Sequence, residues 1–413
     1  RCGNKCTDGG VGMSLLIYKD LVDDCTVSCI PESGNFKCVG DSFLQKKDPF
    51  LYDENKLILK DGTGVDLYDG STWRQFINRG DIEFDPVANL DTGDTLAIGN
   101  DYFVYLVLDG DENPAIVVSL NTTYPDGFTA DNSRKIGGFH VGHIRKVSDD
   151  GLWVPIDSTG TKWGASGTKW QDNVTTGIVS NSVWDLKNRP KTLAGGMAQV
   201  NKNLWCFIYQ PSALETVTFM SGTNGLSVAE GKLQSKYGCL PLTGTEGLNM
   251  YNFNELAERQ GLRLLSYTEW LASAFGSPQA ENGANNYAWA KTTNTAKTFT
   301  GCQVNTSTGA FDNVSGVKPY AISAKNIVDC VGNVYEWTKD NSLDFGSTSW
   351  NWQNLLGAEQ GQAYIPNSGG MRTFVCGGDW NGGVHYGPRT VSGGYSPWRV
   401  VVDIGFRPAC DSR

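Results

Sequence analysis

The segment DCVGNVYEWTKD, Asp329 to Asp340, places an acid, Glu336, directly beside a tryptophan, Trp337. Upstream stands GLRLLSYTEW, Gly261 to Trp270; downstream come GGDW, Gly377 to Trp380, and GFR, Gly405 to Arg407. Tryptophans at fixed landmarks read as core aromatics, so Trp337 and Trp380 are expected to be framework. Opposite charges among such landmarks can pair, and Glu336 and Arg407 are read as partners in a half-buried network. Between the last two landmarks runs a row that repeats no single chemistry: Asp379, Asn381, His385, Tyr395 and Arg399. A catalytic segment would show acids, a nucleophile with its base, or metal ligands; His385 has no partner at a suitable spacing.

Composition limits what such a chain can be. Its 413 residues leave room for two or three domains, and 50 Gly, 13 Trp, 16 Tyr and 17 Phe with 19% charged residues describe a β-rich protein, not a coiled coil or a disordered chain. A formal charge of -10 argues against nucleic acid as a partner, because phosphate-binding surfaces are basic. No apolar run approaches the roughly 18 residues of a spanning helix, so membrane insertion is not expected. GMSLLIYKDLV near the start is too short and too charged for a signal peptide. Of the 11 cysteines, Cys2, Cys6, Cys25, Cys29 and Cys38 crowd the start, where two C-x3-C pairs could be a disulfide knot or a zinc site. Disulfides are favoured, since the spacing departs from C-x2-C and no histidine is near. The others, Cys206, Cys239, Cys302, Cys330, Cys376 and Cys410, are scattered as small buried hydrophobes would be.

The chain divides by texture. KLILKDGTGVDLYDG and DYFVYLVLDGDENPAIVVSL are β-branched and aromatic runs broken by Asp-Gly, the turn pair expected between hairpin strands. Residues 148–181 are rich in Gly, Ser, Thr and Asp and read as a linker or loop insertion. After them come two helix signatures. In NFNELAERQG, Asn252 is expected to cap the helix with Glu255 three residues on and Gly261 to end it; in SYTEWLASAFG, Ser266 and Glu269 form a capping box and Gly276 the stop. The expected fold class is α+β: a Cys-rich segment (1–48), a small β assembly region (49–90), a β-sandwich-like domain (91–147), the linker (148–181), and a mixed C-terminal domain (182–413).

The three blocks around Trp270, Trp337 and Trp380, in this order over about 150 residues, resemble the formylglycine-generating enzyme family, which implies a C-type-lectin-like fold for the C-terminal domain. In those enzymes the GN-x-x-EW segment contributes to a calcium site, so the resemblance implies that Asn333 and Glu336 could hold a structural Ca2+; no cofactor is otherwise required. The enzymes work through two cysteines in the loop after GG-x-W, and here that loop, NGGVHYGPRTVSGG, has none. The iron-dependent relatives need a histidine-rich site, and this chain has only His140, His143 and His385. The expectation is a non-enzyme.

Another branch of the same fold fits better. DYFVYLVLDG, TADNSRKIGGFH, SVWDLKNRP, GGM, GLRLLSYTEWLASAFG and GGDWNG together resemble the variable proteins of diversity-generating retroelements, in particular viral receptor-binding members. The resemblance runs from about Leu96 to the C-terminus and leaves out the Cys-rich start and Ser148–Thr176. In that family, adenine-directed mutagenesis at AAC-type codons cannot produce Lys, Glu, Gln, Met or Trp. Between Asp379 and Asp403 the first four are absent and the tryptophans are Trp380 and Trp398. In an extended chain Asp379, Asn381, Gly383 and His385 would point together. An ungapped placement with Gly387, Pro397 and Gly405 in step adds Ser392, Gly394, Tyr395, Arg399, Val401 and Asp403. These ten, within a variable region of about 377–407, are the expected ligand contacts. Trp337, Gly377, Gly378, Trp380, Gly405, Phe406 and Arg407 are their scaffold, Trp398 is scaffold as well, and Tyr386 is a neighbour. The resemblance implies a homotrimer on a virion tail tip, or otherwise extracellular, binding a host cell-surface protein or glycan. A structural lectin-like protein with a fixed partner stays open, as does, further off, a formylglycine-generating-type oxidoreductase.

Overall fold

The computed structural model describes residues 43–49, 54–110, 113–145, 174–221, 227–277, 297, 299–301, 303–304, 311–312, 322–343, 350–353, 363–366, 370–380 and 386–413. The five early cysteines, Cys302 and most of the expected linker lie outside them. The chain forms two compact units: one holds the residues up to Val141 with Ser182–Arg189 and Arg413, the other Gly142–Asn181 and Pro190–Ser412.

In the first unit the two Asp-Gly runs behave differently. Asp101–Leu108 and Pro114–Ser119 form the expected hairpin, in register from Phe103 opposite Ser119 to Leu108 opposite Pro114. Leu57–Leu59 and Gly64–Tyr68 do not pair with each other, although Asp61 and Gly62 make the turn between them. The former lies between Leu44–Lys46 and Ile82–Phe84, and the latter pairs with Trp73–Ile77. A turn signal reports a change of direction; which edge the next strand meets is set by the buried faces that become available, here Leu57, Leu59 and Phe84 against Val65 and Leu67.

The second unit is built on two four-stranded sheets. One has the order Met197–Asn201, Leu204–Phe207, Pro408–Asp411, Arg263–Leu264; the other the order Val391–Tyr395, Met371–Cys376, Tyr335–Leu343, Ile404–Phe406. In the second sheet the final pair is parallel, with Glu336 opposite Gly405 and Trp337 opposite Phe406, and Cys376 flanks Glu336 on the other side. Trp205, Phe207, Phe253, Trp270 and Trp337 are fully buried, and the Phe253 and Phe406 rings stack with centroids 4.6 Å apart.

Two α-helices cover this core. α2, Tyr267–Ala274, begins as expected: Ser266 accepts from the Glu269 N–H, the Glu269 carboxylate accepts from the Ser266 N–H, and Gly276 has φ 77°. α1, Met250–Glu258, starts earlier than the sequence suggested. Asn249 is the cap, and Asn252 is the reciprocal partner three residues on. The Asn252 Oδ1 accepts from the Asn249 N–H, so an amide oxygen fills the place usually held by a Glu carboxylate. With two helices among the described residues against strands in both units, the chain is more nearly all-β than the expected α+β. No helix of the described residues is long and apolar enough to cross a membrane.

Candidate functional site

The three sequence blocks meet at one buried ion pair. Arg407 Nη2 lies 2.6 Å from Glu336 Oε1 and its Nε 3.1 Å from Oε2, and both side chains are fully buried, where a half-buried pair was expected. The remaining guanidinium N–H groups donate to the carbonyls of Phe207, Ile208 and Val328 at 2.7–3.0 Å, so all five donors are used. Glu336 also accepts from Trp270 Nε1 at 2.8 Å and from Gln210 Nε2 at 3.1 Å. Burial works against the charge on Arg407, but the adjoining Glu336 carboxylate outweighs it and holds the guanidinium well above its usual range. Gln210, in the unremarkable text IYQP, was not singled out from the sequence. It also reaches the carbonyls of Asp329 and Val334 and accepts from Asn333 Nδ2 at 2.8 Å.

This arrangement does not suit calcium. A hard cation needs oxygens turned towards it, and those of Glu336 receive four N–H donors while Asn333 turns its amide nitrogen to Gln210. Among the described residues no group of three or more His, Cys, Asp or Glu is placed to hold a metal ion. Cys206, Cys330, Cys376 and Cys410 are buried free thiols and Cys239 is half-buried. Burial pushes the Cys206 thiol up to about 12 and raises those of Cys330 and Cys376 further still.

Above the ion pair, three strand ends converge: the start of Tyr335–Leu343, the end of Met371–Cys376 and the start of Ile404–Phe406. The chain leaves Cys376 through Gly377 and Gly378, at φ 86° and 87°, values that strain any side chain. A Cβ on Gly377 would lie 2.7 Å from the Cys330 carbonyl, and one on Gly378 would enter the Tyr386 ring. The turn delivers Asp379, which is buried, next to Asp403, whose carbonyl accepts from the Tyr335 N–H at 2.9 Å. Tyr386 meets Tyr335 edge to face at 5.3 Å, Tyr395 does so with Trp337 at 6.2 Å, and the Arg399 guanidinium lies 5.4 Å from the centre of the Tyr395 ring.

The segment from Ser396 to Asp403 is clamped by its backbone. The Pro397 carbonyl accepts from the Met250 N–H and the Val401 carbonyl from the Gly244 N–H, both at 3.0 Å, and Arg372 donates to Ser396 Oγ at 2.8 Å. Gly244 touches the Val401 backbone so closely that a Cβ there has no room. Over 399–403, which is not a strand, exposure from Val400 on alternates in the phase opposite to the expected contacts. Arg399 is exposed, as are Val400 (48%) and Val402 (54%), while Val401 and Asp403 are half-buried. Val400, Val402 and the exposed Val391 were not among the expected contacts; the ungapped placement had assigned their neighbours. Of the expected contacts, Gly394 is exposed, Ser392 and Tyr395 are half-buried, and Asn381, Gly383 and His385 lie outside the described residues. Of the expected scaffold, Trp337, Gly377, Gly378, Gly405, Phe406 and Arg407 are buried and Trp380 is half-buried.

A buried, hydrogen-bonded ion pair thus lies beneath a backbone-clamped surface of dissimilar side chains. Residues 214–412 match the sulfatase-modifying factor enzyme 1-like domain, and residues 50–171 match the Mtd second domain, beginning upstream of Leu96 and taking in much of the segment read as a linker. Over 329 residues the chain is 26% identical to the tail fiber receptor-binding protein of Bordetella phage BPP-1, covering 76% of this chain and 72% of that protein. The chain has the fold of the Major Tropism Determinants. The U1 variant superposes with a TM-score of 0.58 at 22% identity over 89% of this chain and 85% of its own, and the P3c variant with 0.57 at 21% over 90% and 86%.

Proposed function

We propose that this chain is the receptor-binding protein of a phage-like tail tip, a tropism determinant on the virion surface that displays retroelement-diversified side chains to a protein or glycan on its host. The similarity to a tail fiber receptor-binding protein across three quarters of the chain carries this reading. The geometry supports it, since the described residues of the segment from Asp379 to Asp403 stand on strands that hold the buried Glu336–Arg407 pair and on backbone clamps that do not depend on the identity of the displayed side chains. The proposed contacts are Asp379, Asn381, Gly383, His385, Ser392, Gly394, Tyr395, Arg399, Val401 and Asp403. Half-buried Tyr395 supplies area at small entropic cost and Arg399 supplies donors, as in antibody loops.

The residues 182–413 form the lectin-like domain in this reading, residues 49–90 serve assembly, residues 91–147 form a β-sandwich-like domain, and three chains associate. Binding is favoured over catalysis because Cys330 and Cys376, the thiols nearest the turn, are buried and held protonated. Deep sequencing of codons Gly377 to Arg407 in the native population, extended downstream, tests the reading. Substitutions confined to the ten positions, matched by adenines in a near-copy of the segment, are expected. An invariant segment with no near-copy would replace it with a lectin-like protein of fixed partner.

A further inference from the structure

The centre of the proposed face carries two carboxyl groups in mutual contact. Asp379 arrives from the end of Met371–Cys376 and Asp403 from just before Ile404–Phe406, strand ends that flank Tyr335–Leu343 on either side. Their side chains are within hydrogen-bonding reach of each other. Two ionised carboxylates have only acceptors to offer, so a hydrogen bond between them needs a proton. Asp403 Oδ1 is buried and finds no hydrogen-bond donor, so water does little to stabilise a charge there.

Among the described residues, the groups facing the pair are Tyr335 from the central strand, Tyr386 from the segment leading to Gly387, Tyr395 from the Val391–Tyr395 strand, and Arg399 from the clamped loop. Burial raises all three phenols, Tyr335 to about 12, so they are neutral in ordinary buffers. Arg399 is exposed and lies over the Tyr395 ring. We propose that Asp403 holds a proton against the Asp379 carboxyl beside it, and that losing it as pH rises adds one negative charge to this part of the face. Burial first, then the Asp379 carboxyl, pushes Asp403 up to about 6, which puts the change close to neutral pH. Above that pH the face favours cationic groups of a ligand; below it the protonated carboxyl can also donate to a carbonyl or hydroxyl. The consequence for ligand choice rests on the function proposed above.

The proton itself is the probe. Infrared difference spectra of the whole chain, titrated from about pH 4.5 to 8, are expected to show a protonated-carboxyl band half lost near pH 6. The band is expected to be missing in Asp403→Asn. In Asp379→Asn, which gives Asp403 an amide donor, it is expected to disappear at lower pH. A band unchanged in Asp403→Asn overturns the proposal, and a midpoint unmoved in Asp379→Asn overturns the part given to its neighbour. Circular dichroism of each variant checks that the fold is kept, and a pair of conservative amide variants gives two chances of a folded control. Because no host ligand enters the titration, a failed adsorption of the protein to host cells would count against the receptor reading and leave the carboxyl pair standing.

Discussion

At the scale of single residues, Arg407 is the least replaceable side chain in the second unit. Its five donors meet five acceptors, and Glu336 depends on it for neutralisation in the core. Arg407→Met strands a buried carboxylate and is expected to cost about 3–5 kcal/mol in urea unfolding. Arg407→Lys keeps the charge but cannot span the same acceptors, and is expected to lose less, though still more than a typical surface change. Asp403 makes an opposite kind of contribution. Its folded state holds a proton more tightly than an unfolded aspartate, so stability from this group is highest below the unfolded value, about 4, and is lost as pH rises through about 6. Melting temperatures of the parent protein are therefore expected to fall relative to those of Asp403→Asn across that window and to run parallel to them above it. Equal slopes throughout would contradict the assignment.

At the scale of elements, the helices and the clamped loop separate stability from display. Ser266 caps α2 through the Glu269 N–H, and Ser266→Ala is expected to cost about 1 kcal/mol with no effect on ligand capture. Gly244 sits against the Val401 backbone, where no flexible side chain can give way. Gly244→Ala is expected to push the 396–403 loop outward and weaken adsorption to host cells at least tenfold, while the two four-stranded sheets keep their circular dichroism. If Gly244→Ala binds like the parent and Ser266→Ala does not, the loop is not the contact surface. The caps were readable because they are local. Ser266 and Glu269 stand three residues apart in the chain, and even the misplaced start of α1 missed by one turn only because Asn249 and Asn252 both qualify. The loop's exposure was not readable, because Val400, Val401 and Val402 are identical side chains and nothing in the sequence marks which of them faces outward.

At the scale of the whole molecule, association is the property on which the proposed function leans most. A homotrimer, the state implied by resemblance, would engage several weak sites at once and gain about 10²–10⁴ in apparent affinity. Native mass spectrometry of the full chain is expected to give three copies. A monomer would remove the avidity argument while leaving the face itself in place. The net charge of -10 bears on the partner as well, since a surface of this sign is repelled by anionic polymers at long range, and adsorption carried by short-range contacts is expected to depend weakly on salt.

The sequence by itself determined the landmarks: the tryptophans, Glu336 and Arg407, the glycine pair before Asp379, the cap of α2, and a variable-looking row between them. These are legible because each is a local demand on backbone or burial, and a residue type answers it. The Glu336–Arg407 pair apart, tertiary structure alone decided which residues touch across the chain. It brought Gln210 to Glu336 across 126 positions of chain, paired Leu57–Leu59 away from its sequence neighbour, and closed Asp379 on Asp403 through the parallel return of Ile404–Phe406. Contacts of that range have no spacing to read, since the buried surfaces that select them exist only once the sheets have formed.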